Sequence, residues 1–326
     1  MNLSKSIDWK NKNVLVTGGA GFIGSHLVDR LMSLGSKVTV LDNLMASTTK
    51  YIEQYIKNDE FRFIKGDIRN DSDLKKAFDR KYDFVFHFAA DPDVKKSVED
   101  PQQSFEINVV GTYKILEFMR KTDSEKMIFA SSGGTVYGDV DVIPVPETVP
   151  PKPISPYGAS KVAGEAYISA YVGAYGFSAV SLRLANIFGI RSTHGVMYDF
   201  YMKLKKNPKE LLILGNGLQK KSYLYVTDCV DATVLLAEQV EKICDFEVYN
   251  VGSEEWNTVN EIAKIVTTEL GLTNVEFKYT GTERGWPGDV KRIILDITKL
   301  KSLGWSPKID FISGAKKYIH WLKNNF

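Results

Sequence analysis

The chain has 326 residues, 44% of them hydrophobic and 25% charged, and its 42 basic and 40 acidic residues leave a formal net charge of +2. This length is ample for one large domain or two closely packed ones, and the composition is that of an ordinary globular protein. The near-neutral charge predicts no nucleic-acid partner, and no apolar run approaches the roughly 18 residues that would predict a membrane span. The two cysteines, Cys229 and Cys244, show no disulfide or zinc spacing, which predicts a reducing, cytoplasmic location, and the four scattered histidines predict no metal centre.

The first fifty residues carry a dinucleotide-binding pattern. Residues 13–17 are a short apolar run typical of a buried parallel strand, and residues 37–41 are a second one that closes on Asp42. Between them the pattern predicts a helix, preceded by three glycines at a spacing of three: Gly18, Gly21 and Gly24. The helix N-terminus would offer its unpaired N–H groups to a pyrophosphate.

Each part of this pattern has a physical role in binding NAD. Gly18 permits the tight turn out of the strand, Gly21 lets the backbone approach the pyrophosphate, and Gly24 lets the helix pack close to the strand. Asp42 can accept hydrogen bonds from both ribose hydroxyls of the adenosine half. A carboxylate there repels a 2′-phosphate, so the sequence predicts NAD rather than NADP.

Strand and helix patterns alternate through the next 130 residues. The strand-like segments are 61–64, 84–88, 127–130 and 178–183, and the helical ones are 49–58, 71–80, 101–121 and 157–175. A loop of about 25 residues, rich in Gly and Pro, lies between the strand 127–130 and the helix 157–175. A loop of that length is often functional. The alternation predicts an α/β fold with a doubly wound, Rossmann-type parallel sheet.

The pattern loosens beyond residue 184, where the sequence predicts a smaller α/β substrate lid. The predicted elements are a helix at 196–206, a strand at 211–214, a helix at 227–240 capped by Thr227, a strand at 247–251, a helix at 258–270, a strand at 275–279, and helices near 297–303 and 311–323. We therefore expect an NAD-binding domain at 1–183, to which 222–252 returns, and a lid made of 184–221 and 253–326.

Tyr157 and Lys161 lie four residues apart in the segment SPYGASK. Ser155 and Pro156 suit a helix start, and residues four apart share one face of a helix. A free phenol has a pKa of about 10, and a neighbouring ammonium group favours the phenolate. Tyr157 could then act as the general base toward a sugar or alcohol hydroxyl. The alternative is an ordinary surface Tyr and Lys, but the dinucleotide-binding pattern upstream favours catalysis.

The chain resembles the extended short-chain dehydrogenases/reductases, of the NAD-dependent nucleotide-sugar epimerase/dehydratase type. Eight segments carry the resemblance, in order and nearly from end to end: TGGAGFIG (17–24), DNL (42–44), GDI (66–68), HFAA (87–90), NVVGT (108–112), SSGGTVYG (131–138), SPYGASK (155–161) and LRLANIFG (182–189). Together they are specific for the family and less specific for one reaction.

The resemblance implies a role for each matching residue. The residues implied to hold NAD are Gly18, Gly21, Phe22, Ile23, Gly24, Asp42, Asn43, Asp67, Ile68, Phe88, Ala89, Ala90, Asn108, Ser131, Tyr157 and Lys161. Those implied to contact the nucleotide sugar are Asn186, Val196, Lys221, Arg284 and Asp289. For Asn108 a hydrogen bond between packed helices is the alternative, and Asp289 could instead order its loop.

Three segments depart from the family pattern. Epimerases of the family usually place a catalytic Ser or Thr where this chain has Gly133, so Ser132 or Thr135 would supply that hydroxyl, and we favour Thr135. Dehydratases carry Asp then Glu where this chain has Gly134 and Thr135, and decarboxylases usually keep a Glu at the Thr135 position, so both reactions are disfavoured.

The other two departures concern the positively charged side chains that would bind the diphosphate of the substrate. The family commonly has an Arg before the aromatic segment, where this chain has Lys220 and Lys221, and a Lys lacks the bidentate fork of Arg. Many relatives also have an Arg directly before Pro-Gly-Asp, whereas here Trp286 holds that position and Arg284 lies two residues earlier.

The function implied by the resemblance is a nucleotide-sugar 4-epimerase, with UDP-glucose and UDP-galactose as the expected pair. Tyr157 would take the 4-hydroxyl proton while hydride passes to tightly held NAD. The alternatives are epimerisation of UDP-GlcNAc or UDP-glucuronate, a dehydratase, net oxidation or reduction of a diffusing substrate with exchangeable NAD, and a dinucleotide-binding sensor without turnover. Helices 101–121 and 157–175 carry apolar positions beyond what one sheet face uses, and family members often pair these helices between subunits. The resemblance therefore implies a homodimer, although core packing explains the apolar positions nearly as well.

Overall fold

The computed structural model of the protein describes residues 7–243 and 245–326, so Cys244 lies outside the described residues. Its strands, in chain order, are β1 (Asn13–Thr17), β2 (Lys37–Asp42), β3 (Phe61–Lys65), β4 (Phe84–His87), β5 (Lys126–Ser132), β6 (Ser178–Leu184), β7 (Asn186–Phe188), β8 (Glu210–Ile213), β9 (Lys220–Tyr225), β10 (Phe246–Val251), β11 (Trp256–Thr258), β12 (Glu276–Tyr279) and β13 (Arg292–Ile293). Its helices are α1 (Phe22–Ser33), α2 (Asp71–Ala77), α3 (Val94–Glu99), α4 (Pro101–Ser104), α5 (Gly111–Lys121), α6 (Gly133–Tyr137), α7 (Pro156–Tyr175), α8 (Val196–Lys206), α9 (Val226–Ile243), α10 (Val259–Glu269), α11 (Thr298–Lys301) and α12 (Phe311–Asn325).

Seven strands form one sheet in the order β10-β6-β5-β4-β1-β2-β3, and every neighbouring pair is parallel. The strand order reverses between β1 and β4, which is where ligands bind in open α/β sheets. The predicted Rossmann-type sheet is therefore confirmed.

Apolar side chains of each strand alternate between two cores, because successive residues of a strand point to opposite faces. In β1, Val14 and Val16 enter the core covered by α1 and α9, and Leu15 enters the core covered by α2, α5 and α7. Helices thus bury both faces of the sheet, as an all-parallel sheet requires.

Most of the chain after β6, apart from α9 and β10, builds a smaller layer. There β9 pairs with β7, β11 and β13, while β8 pairs with β12. Apolar residues of α8, α10 and α12 form a third core under these strands. Residues 222–252 are expected to return to the NAD-binding domain, and the structure divides them between the two sheets: β9 lies in the small sheet, whereas β10 extends the large one. The proposed domain boundaries stay a prediction.

Several predicted elements differ from the structure. The helix expected over 49–58 is two short 3₁₀ turns, Thr49–Tyr51 and Glu53–Tyr55. The helix expected over 101–121 is divided into α4, a π-helical turn at Phe105–Val110, and α5. Thr227 does not precede the next helix, since α9 begins at Val226 directly after β9. Within the residues that the structure describes, none of the helices has the length and apolar character to cross a membrane.

Candidate active site

Two glycines shape the turn that follows β1. Gly18 has a φ of +71°, and an added Cβ there would lie 2.7 Å from the backbone nitrogen of Ala89, just past β4. An added Cβ on Gly24 would overlap the carbonyl oxygen of Gly18. Both positions therefore require glycine, because a side chain would force α1 and β4 away from the turn.

The N-terminus of α1 and the end of β2 meet at this turn. Gly21 is the N-cap of α1, with extended backbone, and no side chain in the described part of the chain caps the first turn that Phe22 and Ile23 open. Those N–H groups and the helix dipole suit a pyrophosphate. The carboxylate of Asp42 accepts a hydrogen bond from the Ala20 nitrogen at 3.0 Å, which fixes it beside the glycine turn. The residues present therefore fit a dinucleotide.

The adjacent loop orients Asn43 and Asp67. Asn43 donates to Asp67 Oδ2 at 3.0 Å, and Arg69 donates to both carboxylate oxygens, at 2.9 and 2.7 Å. The Arg69 hydrogen bonds hold the pKa of Asp67 well below its usual range, so Asp67 stays a charged acceptor. The Ile68 side chain, in contrast, is buried against Gly111, so only its backbone could border an adenine.

The end of β4 is held by a buried histidine that sequence reasoning did not single out. His87 bonds Thr17 Oγ1 through Nδ1 at 2.7 Å and Thr112 Oγ1 through Nε2 at 2.9 Å. Burial, assisted by the charge of Lys161, lowers the pKa of His87 to about 3, so its ring is neutral. These contacts fix the half-buried residues 88–90, Phe88, Ala89 and Ala90, against the glycine turn.

Two residues predicted to hold NAD differ in what surrounds them. Ser131, in β5, is buried and its Oγ has no hydrogen-bond partner among the described residues, which leaves it available to a ligand. Asn108 lies in the π-helical turn and bonds Asp91 and Ser160. These contacts are the packing hydrogen bonds of its structural alternative, and a contact with NAD stays a prediction.

Tyr157 and Lys161 lie on the first two turns of α7. The helix begins at Pro156, and the Ser155 side chain caps it by accepting from the Gly158 nitrogen at 3.1 Å. Lys161 Nζ lies 5.8 Å from the centre of the Tyr157 ring and donates to the Ala130 carbonyl at 2.8 Å. Tyr157 is half-buried and Lys161 is 3% exposed.

Burial shifts the pKa values of Tyr157 and Lys161 so that the neutral form of each side chain is favoured. It raises the pKa of Tyr157 to about 12, although the Ser132 hydrogen bond works in the opposite direction. It lowers the pKa of Lys161 to about 8, with the charge of Glu165 opposing the shift. A perturbed phenol beside a perturbed ammonium group is typical of a catalytic site. Lys161 remains charged at neutral pH, as a base-activating cation must.

Two hydroxyls flank Gly133, the position where epimerases of the family usually carry a Ser or Thr, and one of them lies beside Tyr157. Thr135 Oγ1 donates to Ser132 Oγ at 2.8 Å, and Ser132 in turn hydrogen-bonds the Tyr157 phenol. Gly133 has no room for a side chain, because an added Cβ would lie 2.5 Å from Leu295 Cδ1. The geometry therefore favours Ser132 over the expected Thr135 as the hydroxyl beside the phenol, with Thr135 orienting it.

The residues expected to bind the nucleotide sugar lie in the smaller layer. Asn186 donates to the Ser222 carbonyl at 3.0 Å, and Val196 is the half-buried first residue of α8. Lys221 Nζ and Asp289 Oδ1 are 2.5 Å apart. Arg284 donates to the Asp289 carbonyl at 2.7 Å.

The two cations therefore converge on one buried acidic residue. Asp289 is 4% exposed, and its second oxygen accepts from the Gly285 nitrogen at 3.2 Å, so it orders the loop. Arg284 also pairs with Asp139. A diphosphate at this edge would compete with these carboxylates for Lys221 and Arg284.

Comparison with known proteins agrees with this geometry. A family model described as "NAD dependent epimerase/dehydratase family" matches residues 14–252. A solved UDP-galactose 4-epimerase is 42% identical, with a TM-score of 0.85, over 96% of this chain and 99% of that one. The UDP-glucose 4-epimerase of Thermus thermophilus, solved in complex with NAD, is 36% identical, with a TM-score of 0.85, over 96% of this chain and all of that one.

A curated relative covers nearly the same length. The UDP-glucose 4-epimerase of Mycolicibacterium smegmatis is 34% identical over 317 residues, which are 95% of this chain and 98% of the relative. The family model alone spans well over half of the sequence, and it includes the glycine turn, Asp42, Tyr157 and Lys161. The protein belongs to the NAD-dependent epimerase/dehydratase family.

Proposed function

We propose that the protein is a nucleotide-sugar 4-epimerase that interconverts UDP-glucose and UDP-galactose. The observation that carries the proposal is the position of Tyr157 and Lys161 on one face of α7, with Ser132 against the phenol. The solved relatives named for this activity support the substrate pair, since their structures match the chain over 96% of its length.

Tyr157, Ser132 and Lys161 have separate roles in the proton transfer. Tyr157 takes the proton of the 4-hydroxyl and returns it, while Ser132 hydrogen-bonds the phenol and keeps it aligned. Lys161 supplies the nearby positive charge that favours the phenolate. Gly18, Gly21, Gly24 and Asp42 would hold NAD. When bound, NAD supplies the acceptor and donor of hydride.

A dehydratase is less well supported by the side chains at this site. Elimination of water needs an acid and a base beside the sugar, in addition to the redox pair. The positions where the dehydratases of the family carry Asp and Glu are Gly134 and Thr135 here, and Thr135 is engaged with Ser132. The acidic pair is therefore missing from the turn that would present it.

The nucleotide half would be bound through the smaller layer. Lys221 and Arg284 can exchange their carboxylate partners, Asp289 and Asp139, for the diphosphate. The first turn of α8 at Val196, which no side chain among the described residues caps, can donate N–H groups. Binding through the diphosphate leaves the sugar free to present either face to Tyr157, as epimerisation requires.

The test uses the purified protein without added cofactor. UDP-galactose is added and its anomeric proton is followed by NMR, while the denatured protein is analysed for released NAD. Appearance of UDP-glucose with stoichiometric NAD supports the proposal. Bound NAD without conversion contradicts the substrate pair, and net formation of NADH in solution contradicts an epimerase.

We also propose a homodimer, built on α5, α7 and the turn before α5. Their outer faces expose four aromatic side chains at 42–54%: Phe105, Tyr113, Tyr167 and Tyr175. The rings of Tyr113 and Tyr167 are 6.0 Å apart, so these two side chains form one apolar patch across α5 and α7. Sedimentation should give twice the chain mass for the wild type and the chain mass for Tyr167→Glu. Met45→Glu, which alters an exposed residue outside this patch, should remain dimeric.

The cytoplasmic location also remains a proposal. The thiol of Cys229 is free and buried, which is compatible with a reducing compartment. Fractionation of the source cells would test it.

A further inference from the structure

Asp91 is a buried carboxylate that the mechanism above does not use. It lies four residues beyond the end of β4 and is 6% exposed. Its Oδ2 has no hydrogen-bond partner within residues 7–243 and 245–326, and its Oδ1 accepts only a long bond, 3.5 Å, from the Asp93 nitrogen. Leaving a buried carboxylate oxygen without a donor is costly, so the position indicates a donor from a ligand.

The position of Asp91 is tied to the catalytic helix. Asn108 accepts from the Asp91 nitrogen at 2.8 Å and donates to the Asp91 carbonyl at 3.2 Å. The same amide donates to Ser160 Oγ at 3.0 Å, and Ser160 donates to the Tyr157 carbonyl at 2.7 Å. This chain of hydrogen bonds holds the Asp91 backbone against the turn of α7 that carries the general base.

The charges around Asp91 are mainly negative. Asp93 and Lys96, at the start of α3, and Asp100, before α4, act on Asp91, and the charge of Asp91 acts on Tyr157 of α7. Burial raises the pKa of Asp91, and the charges of Asp93 and Asp100 add to this effect, whereas the hydrogen bond from the Asp93 backbone and the charge of Lys96 oppose it. An incoming anionic group would therefore meet a carboxylate without a bonded cation among the described residues.

We propose that Asp91 determines which sugar the site accepts: its free carboxylate oxygen receives a hydrogen bond from a sugar hydroxyl and repels a sugar that carries its own carboxylate. The site then selects neutral hexoses over hexuronates. This inference rests on the proposed function and narrows its substrate class.

The experiment compares the wild type with Asp91→Asn on UDP-galactose and UDP-galacturonate. Asn keeps the shape but can donate to a carboxylate, so kcat/KM for UDP-galactose should fall about tenfold or more, as expected for loss of one charge-assisted hydrogen bond. The preference for UDP-galactose over UDP-galacturonate should fall by a larger factor. Glu99→Gln, which removes an exposed charge on α3, is the matched control and should keep the wild-type preference.

A second readout separates this role from a merely structural one. Burial raises the pKa of Tyr157, and the charge of Asp91 adds to this effect, whereas the Ser132 hydrogen bond opposes it. Removing the charge should shift the acidic limb of the kcat profile to lower pH. If Asp91→Asn does not fold, Asp91→Ser keeps a small polar acceptor and tests the same preference.

The outcomes distinguish the inference from the proposed function. An unchanged sugar preference in Asp91→Asn, or an equal loss on both sugars together with loss of bound NAD, overturns the inference. If the wild type turns over neither sugar, calorimetric Kd values for UDP-glucose and UDP-glucuronate replace the rates. If the wild type binds UDP-glucose more tightly than UDP-glucuronate and Asp91→Asn loses this preference, the inference is supported even though the epimerase proposal has failed. If the wild type binds both with equal Kd values, the inference is overturned.

Discussion

Restoring the usual family hydroxyl at position 133 should destabilise this protein. A side chain at Gly133 would place its Cβ 2.5 Å from Leu295 Cδ1 and 2.9 Å from Cδ2, whereas ordinary contact begins at 3.4 Å. Leu295 is 2% exposed and packs within the main core, so it must retreat by about 0.9 Å into occupied space. Overpacking of this kind costs about 1–3 kcal/mol, and we expect that loss for Gly133→Ser.

The neighbouring glycine provides a matched control. An added Cβ on Gly134 would lie 3.4 Å from Ile293 Cγ2, which is ordinary contact, so Gly134→Ser should cost less than about 1 kcal/mol. Both variants add the same side chain to the first turn of α6. The difference between them therefore isolates the overlap with Leu295.

A double-mutant cycle gives the decisive measurement. Leu295→Ala alone should cost about 2–5 kcal/mol, but it opens the space that Gly133→Ser needs. The double variant should therefore lose about 1–3 kcal/mol less than the sum of the single losses. Urea unfolding at one saturating NAD concentration measures each free energy. Additive losses, or a Gly133→Ser loss no larger than that of Gly134→Ser, would refute the steric explanation.

Further predictions concern the catalytic pair, the cofactor and the core. Tyr157→Phe should lower kcat by about 10²–10⁴ in the NMR assay with NAD retained; unchanged kcat would exclude it as the base. Asp42→Ala should release NAD on gel filtration, and full retention would contradict its ribose role. Burial lowers the pKa of Lys161 from 10.5 to about 8, so between pH 8 and 10.5 the unfolded chain binds more protons than the folded one. The free energy of unfolding should therefore rise with pH over that range. Lys161→Met should reduce the slope of this rise, and an equal slope in the variant would contradict the pKa shift. Glu165→Gln, which breaks a buried pair of 2.7 Å with Arg183, should cost about 3–5 kcal/mol in urea unfolding, and a loss under 1 kcal/mol would contradict its burial.

Local chemistry explains how far the sequence predicted the fold. The run at 13–17, the glycines and Asp42 describe one strand-turn-helix-strand unit whose contacts are close in sequence, and its elements appear as predicted. In contrast, β9 runs directly into α9 without a Gly or Pro between them, so no local signal marks that strand. α6 is one turn beginning with two glycines, which are poor helix formers, and the turn forms because tertiary packing overrides propensity.

The candidate site was predictable where the chemistry depends on spacing within one element. Tyr157 and Lys161 needed only a helix to share a face. The choice between Ser132 and Thr135 depended on which hydroxyl the fold places beside the Tyr157 phenol. The exclusion of a side chain at position 133 depended on Leu295, which lies more than 150 residues away in sequence. Only the assembled fold could show that exclusion.

The paired cations of the smaller layer have a consequence for substrate binding. Lys221 and Arg284 both reach Asp289, and Arg284 also reaches Asp139, so neither cation is held ready for a phosphate. A diphosphate must replace carboxylate contacts that already stabilise the loop, so the net gain from each new ion pair is small. Affinity must then come from many contacts at once, including the nucleotide and the start of α8. Such a site favours a whole nucleotide sugar over a free phosphate or a free sugar, which is what a reaction that rotates an attached sugar requires.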